Sequence, residues 1–144
     1  MFVNKGIELI NICKEKNVPI WEYTIMCEEE ESGLTRSVII EKMRQNLNTM
    51  RDAAEYGCVN KTRSISGLIG GDAIKLNKYA DSKNTLTGKF MIKAMARAVS
   101  CSEVNAAMGK IVAAPTAGSC GIIPAAIITA EIGRASCRER VYGE

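Results

Sequence analysis

Apolar residues recur at three- and four-residue steps along much of this chain, and polar residues fill the positions between them. The longest such run is Val38, Ile39, Met43, Leu47, Met50 and Ala54. It predicts a helix to about Tyr56, with Thr35 as its N-cap and Gly57 as its stop. Upstream, Ile7, Ile10 and Ile12, with Cys13 beside them, predict an amphipathic helix from about Val3 to Lys16. Asn17-Val18-Pro19 breaks it, and Pro19 starts a second helix through Glu31. The acidic run Glu28 to Glu31 reads as solvated surface at a helix C-terminus, where the dipole disfavours it, and Ser32-Gly33 ends the segment.

From Cys58 to Asp72 the period is lost, and CVNKTRSISGLIGGD turns polar and then glycine-rich. A loop with Gly67, Gly70 and Gly71 lets backbone N–H groups approach an anion, although a plain turn has the same composition. A Walker A string is missing and no strand pattern precedes the glycines, so neither nucleotide-binding motif applies. Asp72 to Tyr79 predicts a short helix capped by Asp72, and Lys83-Asn84 a turn. Thr87 then caps a helix from Gly88 to Ser100, Ser102 caps a further turn ending at Gly109, and Lys110-Ile111-Val112 has strand character. The pattern as a whole predicts an all-α, or nearly all-α, mostly helical domain.

Composition sharpens this. Apolar residues make up 47% of the 144, but aromatics only 5%, which favours close packing of helices through small and aliphatic side chains. The net charge of +3 is spread along the chain, without the concentrated basic face that nucleic acid requires. No uncharged apolar run reaches the roughly 18 residues of a membrane span. The opening MFVNKGIELINICKEK carries charges within its apolar stretch and lacks a cleavage site, so a cytoplasmic chain with reduced cysteines is expected. There is no histidine and no C-x-x-C pair, which excludes Ser-His and Cys-His dyads, zinc fingers and four-cysteine ribbons within this chain. Five of the six cysteines read as small buried hydrophobes.

The sixth, Cys120, stands in AAPTAGSCGIIPAAI. Gly118 and Gly121 free the backbone on both sides of it, and IIPAAIITA reads as a buried helix with Pro124 in its first turn. Cys120 is thus placed at or just before a helix N-terminus, where the dipole and free N–H groups lower a thiol's pKa. Such a thiol suits a metal ligand or a nucleophile, and with no histidine to serve as base the ligand reading gains.

Two stretches carry a family resemblance. SEVNAAMGKIVAAPTAGSCGIIPA, Ser102 to Ala125, and RSISGLIGGDAIKL, Arg63 to Leu76, resemble the alpha chains of iron–sulfur-dependent L-serine dehydratases, also called L-serine ammonia-lyases. The resemblance covers residues 1 to about 131. It implies a 4Fe–4S cluster held by three cysteines with one iron open, and no pyridoxal phosphate. Cys120 matches the first ligand. The open iron would act as a Lewis acid on the hydroxyl of L-serine, a base would remove the Cα proton, and the aminoacrylate formed would give pyruvate and ammonia. The catalytic base is not assigned. The resemblance implies a substrate site near Gly70, Gly71 and Asp72, whose N–H groups suit a carboxylate; Asp72 could meet the ammonium or cap its helix. Lys75, Thr116 and Ser119 are further candidates for substrate or cluster contacts, and Glu103 and Asn105, matching an E-x-N pattern, stand behind them. A separate beta chain is the implied partner.

The family's other two cluster cysteines lie further downstream than Cys137, which is therefore not expected to be a ligand. From about residue 132 the text GRASCRERVYGE has no periodic apolar face and resembles a translated adaptor or vector scar, so residues 132–144 are expected to be non-native, with no continuation of the helix. With one cluster cysteine of three, the chain as written is expected to be an inactive fragment. Two rival readings stand beside this one: another iron–sulfur hydro-lyase acting on a hydroxy acid, and a non-catalytic helical binding module in which PTAGSCG is only a turn. A redox pair of Cys101 and Cys120 is a third.

Overall fold

A computed structural model describes residues 3, 5–82 and 85–142, with side chains as far as residue 132. The expected turn at Lys83-Asn84, the side chain of Cys137 and residues 143–144 lie outside the described residues. Six α-helices and one short 3-10 turn make up the regular structure, and no strand occurs among the described residues: α1 (Gly6–Glu15), α2 (Ile20–Ser32), α3 (Arg36–Val59), α4 (Asp72–Ala80), α5 (Lys89–Ala106), the 3-10 turn (Ala117–Ser119) and α6 (Ile122–Tyr142). The chain is all-α. Lys110-Ile111-Val112, expected to have strand character, is irregular backbone.

The chain divides into two compact units, residues 1–45 and 46–144. In the first, α1 and α2 pack together around the buried Cys13 and Tyr23. Asn17 turns the chain between them at φ 52°, and Gly33 ends α2 in the left-handed region at φ 67°. Those are conformations that asparagine and glycine adopt at least cost. Glu22 and Arg36 form a bidentate pair, which holds the Glu22 carboxyl below its ordinary range.

The second unit holds the core, in which Ala53 and Ala54 of α3, Cys101 and Val104 of α5, Cys120 and Ile128 of α6 come together. Small residues let the helices approach closely. A Cβ on Gly57 would stand 2.8 Å from Ser100 Oγ, and that hydroxyl accepts the Gly57 N–H at 2.8 Å and donates to the Ala53 carbonyl at 2.6 Å. This packing explains why α3 runs through Gly57 to Val59: the glycine serves a helix contact and does not act as the expected stop.

Two further boundaries differ from the sequence pattern for physical reasons. Ser102 does not cap a new turn, because its hydroxyl donates back to the Ala98 carbonyl at 3.3 Å and α5 continues to Ala106. At the start of α5 the N-cap is Gly88 at φ 82°, with no side-chain cap, so Thr87 does not fill that role. Finally, α6 passes residue 132 and continues to Tyr142, where the absence of an apolar period predicted an end. Its residues beyond Ile132, among them alanine and arginine, are good helix formers and prolong a helix already nucleated.

Candidate functional site

The last two turns of α5, from Cys101 to Ala106, hold both motif stretches. On one side lies the glycine-rich loop. Gly70 sits at φ 142°, with the Thr62 carbonyl oxygen 2.1 Å from where a Cβ would be, so the loop backbone folds tightly on itself. Gly71 at φ 85° is the N-cap of α4 and, having no side chain, offers the helix no capping oxygen. That oxygen comes from α5. The N–H groups of Asp72 and Ala73 donate to Glu103 Oε1 at 2.6 and 3.2 Å. Glu103 is 1% exposed, and its other oxygen, Oε2, is buried with no hydrogen-bond partner. The Ile65 N–H adds a bond to the Ala106 carbonyl at 3.4 Å.

The cysteine turn is tied to the same stretch of helix. Asn105 Nδ2 donates to the Ala117 carbonyl at 3.1 Å, and Cys120 Sγ donates to the Cys101 carbonyl at 3.7 Å. Within the turn, Thr116 and Ser119 bind each other. Their hydroxyls lie 3.0 Å apart, and the Thr116 N–H donates to Ser119 Oγ at 3.3 Å, which closes a capping box around the 3-10 turn. Gly121 is obligatory, since a Cβ there would stand 2.3 Å from the Ala98 carbonyl oxygen. Cys120 therefore stands two residues before α6, as expected, in a rigid turn.

Its environment is not the expected one. Cys120 is 2% exposed and part of the core, and burial raises its thiol pKa, outweighing the lowering effect of its backbone hydrogen bond. The helix N-terminus was expected to lower it; desolvation of the charged form wins. The neighbouring Cys101 is pushed up to about 12, first by burial and then by Cys120 and Cys58. Both are free thiols.

The other sequence candidates fall as follows. Asp72 does not cap α4 with its own side chain; it is exposed and pairs with Lys75 Nζ at 2.8 Å, which raises the Lys75 pKa. Glu103, read from the sequence as a supporting residue, is the one that binds the glycine loop. A signal for it exists in the pattern: Ile92, Ala96, Ser100 and Glu103 fall at helical spacing on the buried face of α5, and a carboxylate on such a face needs a partner. A mostly apolar cavity of about 320 Å³ opens between Tyr56, Thr62, Val104 and Lys110, and none of the candidate site residues lines it.

A 4Fe–4S cluster needs several thiolates converging on one space. The described residues do not fit it by themselves: the cysteine turn offers a single thiol, directed onto the Cys101 carbonyl, and among the described residues no group of three cysteine, aspartate, glutamate or histidine side chains could hold a metal ion.

Comparison with known proteins agrees with the two motifs. No solved structure matches the chain significantly. It is similar to a probable L-serine dehydratase alpha chain of Bacillus subtilis (strain 168), 44% identical over 117 residues, which cover 81% of this chain and 39% of the relative. It is similar also to an L-serine dehydratase alpha chain of Peptoniphilus asaccharolyticus, 38% identical over 128 residues, covering 89% of this chain and 44% of the relative. An L-serine dehydratase of Streptomyces coelicolor (strain ATCC BAA-471 / A3(2) / M145) is 28% identical over 128 residues, covering 85% of this chain and 27% of the relative. The chain thus spans less than half the length of the curated relatives it matches. The family model for the serine dehydratase alpha chain matches residues 15–142, so both loops on α5 fall inside it, and the chain belongs to the serine dehydratase alpha chain family.

Proposed function

We propose that this chain is a segment of an L-serine ammonia-lyase that converts L-serine to pyruvate and ammonia with an iron–sulfur cluster and without pyridoxal phosphate. The observation that carries the reading is the joint anchoring of the glycine loop and the cysteine turn on one stretch of α5, by Glu103 and Asn105, within a chain of this family. In the assembled enzyme Cys120 serves as one thiolate ligand, and the remaining ligands come from outside the described residues. The turn of Thr116 to Gly121 fixes the position of that sulfur, while the loop of Gly70 to Asp72 borders the substrate. A separate beta chain completes the enzyme; Ile65, Leu68 and Met108, 79%, 88% and 78% exposed beside the two loops, offer the apolar surface such a partner covers. The free cysteines suit a reducing, cytoplasmic compartment.

One observation favours the binding-module reading, namely the burial of Cys120 in the core. Activity separates the two. The complete alpha and beta chains, assembled without oxygen and supplied with iron and sulfide, are expected to form pyruvate from L-serine, with L-threonine the poorer substrate. The segment alone, with one thiolate, is expected to form none. Pyruvate formation that is indifferent to iron removal would overturn the proposal, as would no pyruvate from an assembled enzyme carrying a full complement of iron.

A further inference from the structure

An α-amino acid carries an ammonium group beside its carboxylate, and a site selective for amino acids needs a fixed acceptor with an oxygen to spare. Two acids lie at the glycine loop. Asp72 already has its cation, Lys75 at 2.8 Å. Glu103 has none among the described residues. Its Oε1 is committed to the Asp72 and Ala73 N–H groups, which lock the orientation of the carboxylate, while Oε2 is buried and unpartnered. A carboxylate oxygen taken from water without a partner costs stability, and a buried orphan of this kind marks strain, chemistry or a ligand. The cap itself accounts for one oxygen and leaves the other unexplained.

We propose that Glu103 Oε2 receives the α-ammonium group of the amino-acid substrate, an inference that rests on the dehydratase reading above. On this proposal the ligand approaches past the Gly70–Gly71 turn. Gly71 immediately precedes the N–H that Glu103 holds, and nothing lies within 4 Å of where its Cβ would stand. An ammonium that reaches Oε2 meets an acceptor already stripped of water, so little hydration of the protein side is lost on binding. A hydroxy acid without the amine leaves Oε2 unpaired. Glu103 would then set the preference for amino acids over hydroxy acids, because a site built around a buried polar group rejects the ligand that cannot satisfy it.

The test uses the complete enzyme, alpha chain with beta chain, and two ligands that differ only in the amine: L-serine, and 3-hydroxypropanoate as a competitive inhibitor. Glu103→Gln keeps an oxygen for the α4 N–H groups and removes the carboxylate. It is expected to raise KM for L-serine about ten- to a hundredfold, while the inhibition constant of 3-hydroxypropanoate stays unchanged. A merely structural Glu103 moves both constants together, and that result, or no change in either, overturns the inference. A second measurement needs no variant: in the wild-type enzyme, hydrogen exchange at the Asp72 and Ala73 amides is expected to slow with L-alanine and not with propanoate. Equal protection by the two overturns the inference as well. A wild-type enzyme that forms no pyruvate from L-serine overturns the dehydratase reading first, and this one with it.

Discussion

Gly70 and Cys101 show how single positions constrain this fold. A Cβ at residue 70 would lie 2.1 Å from the Thr62 carbonyl oxygen and 2.8 Å from Arg63 Cα, and both are backbone atoms that cannot swing aside. At φ 142° the side chain is disfavoured even without that clash. Gly70→Ala is therefore expected to destabilise the chain by about 3 kcal/mol, measured by urea denaturation; a loss under about 1 kcal/mol would mean that the loop relaxes. Cys101 bears on pH. Its thiol titrates near 12 in the fold and near the ordinary 9.0 when unfolded, so the unfolded chain releases its proton first as the pH rises. Stability from this group is complete below about pH 9 and is lost progressively toward pH 12. A thermal melting series over that range is expected to fall for the wild type and to fall less steeply in Cys101→Ala. The buried Cys101 and Cys120 are likewise expected to alkylate more slowly than the half-buried Cys27.

At the scale of elements, α4 depends on α5 for its start. Glu103→Ala removes both bonds to the first N–H groups of α4 and is expected to cost about 2 kcal/mol in chemical denaturation. Asp72→Ala, which loses only an exposed ion pair, is expected to change stability by less than about 0.5 kcal/mol. Equal effects from the two would return the cap to Asp72. The contrast also shows what the sequence made legible. Helical period together with breakers and caps located the six helices of the described residues, and the glycine and proline breaks at Ser32-Gly33 and Asn17-Val18-Pro19 fell at real boundaries, because they are set by local backbone conformation. Two of the errors lie where a distant residue decides. Gly57 reads as a stop because its partner, Ser100, stands 43 positions away, and Asp72 reads as the cap because Glu103 is 31 positions on. The position of Cys120 before α6 was legible from Gly121 and Pro124. Its burial was not, since that depends on Ala53, Ala54 and Ile128 closing over it.

At the scale of the molecule, the second unit ties the glycine loop at Asp72 and the cysteine turn at Ala117 to Glu103 and Asn105 in the last two turns of α5, so that one helix sets both. The apolar side chains left exposed beside them, Ile65, Leu68, Met108 and Ile122, belong to a surface that the rest of the enzyme is proposed to cover. Cys120 is proposed to ligate the cluster, whereas Cys101, buried in the same core, is not. Iron content of the complete enzyme, assembled without oxygen, tests it most directly in a matched pair of variants. Cys120→Ser is expected to lose the iron and the visible absorbance of the cluster together, whereas Cys101→Ser retains both. Full iron in Cys120→Ser would contradict the account and leave PTAGSCG as a structural turn.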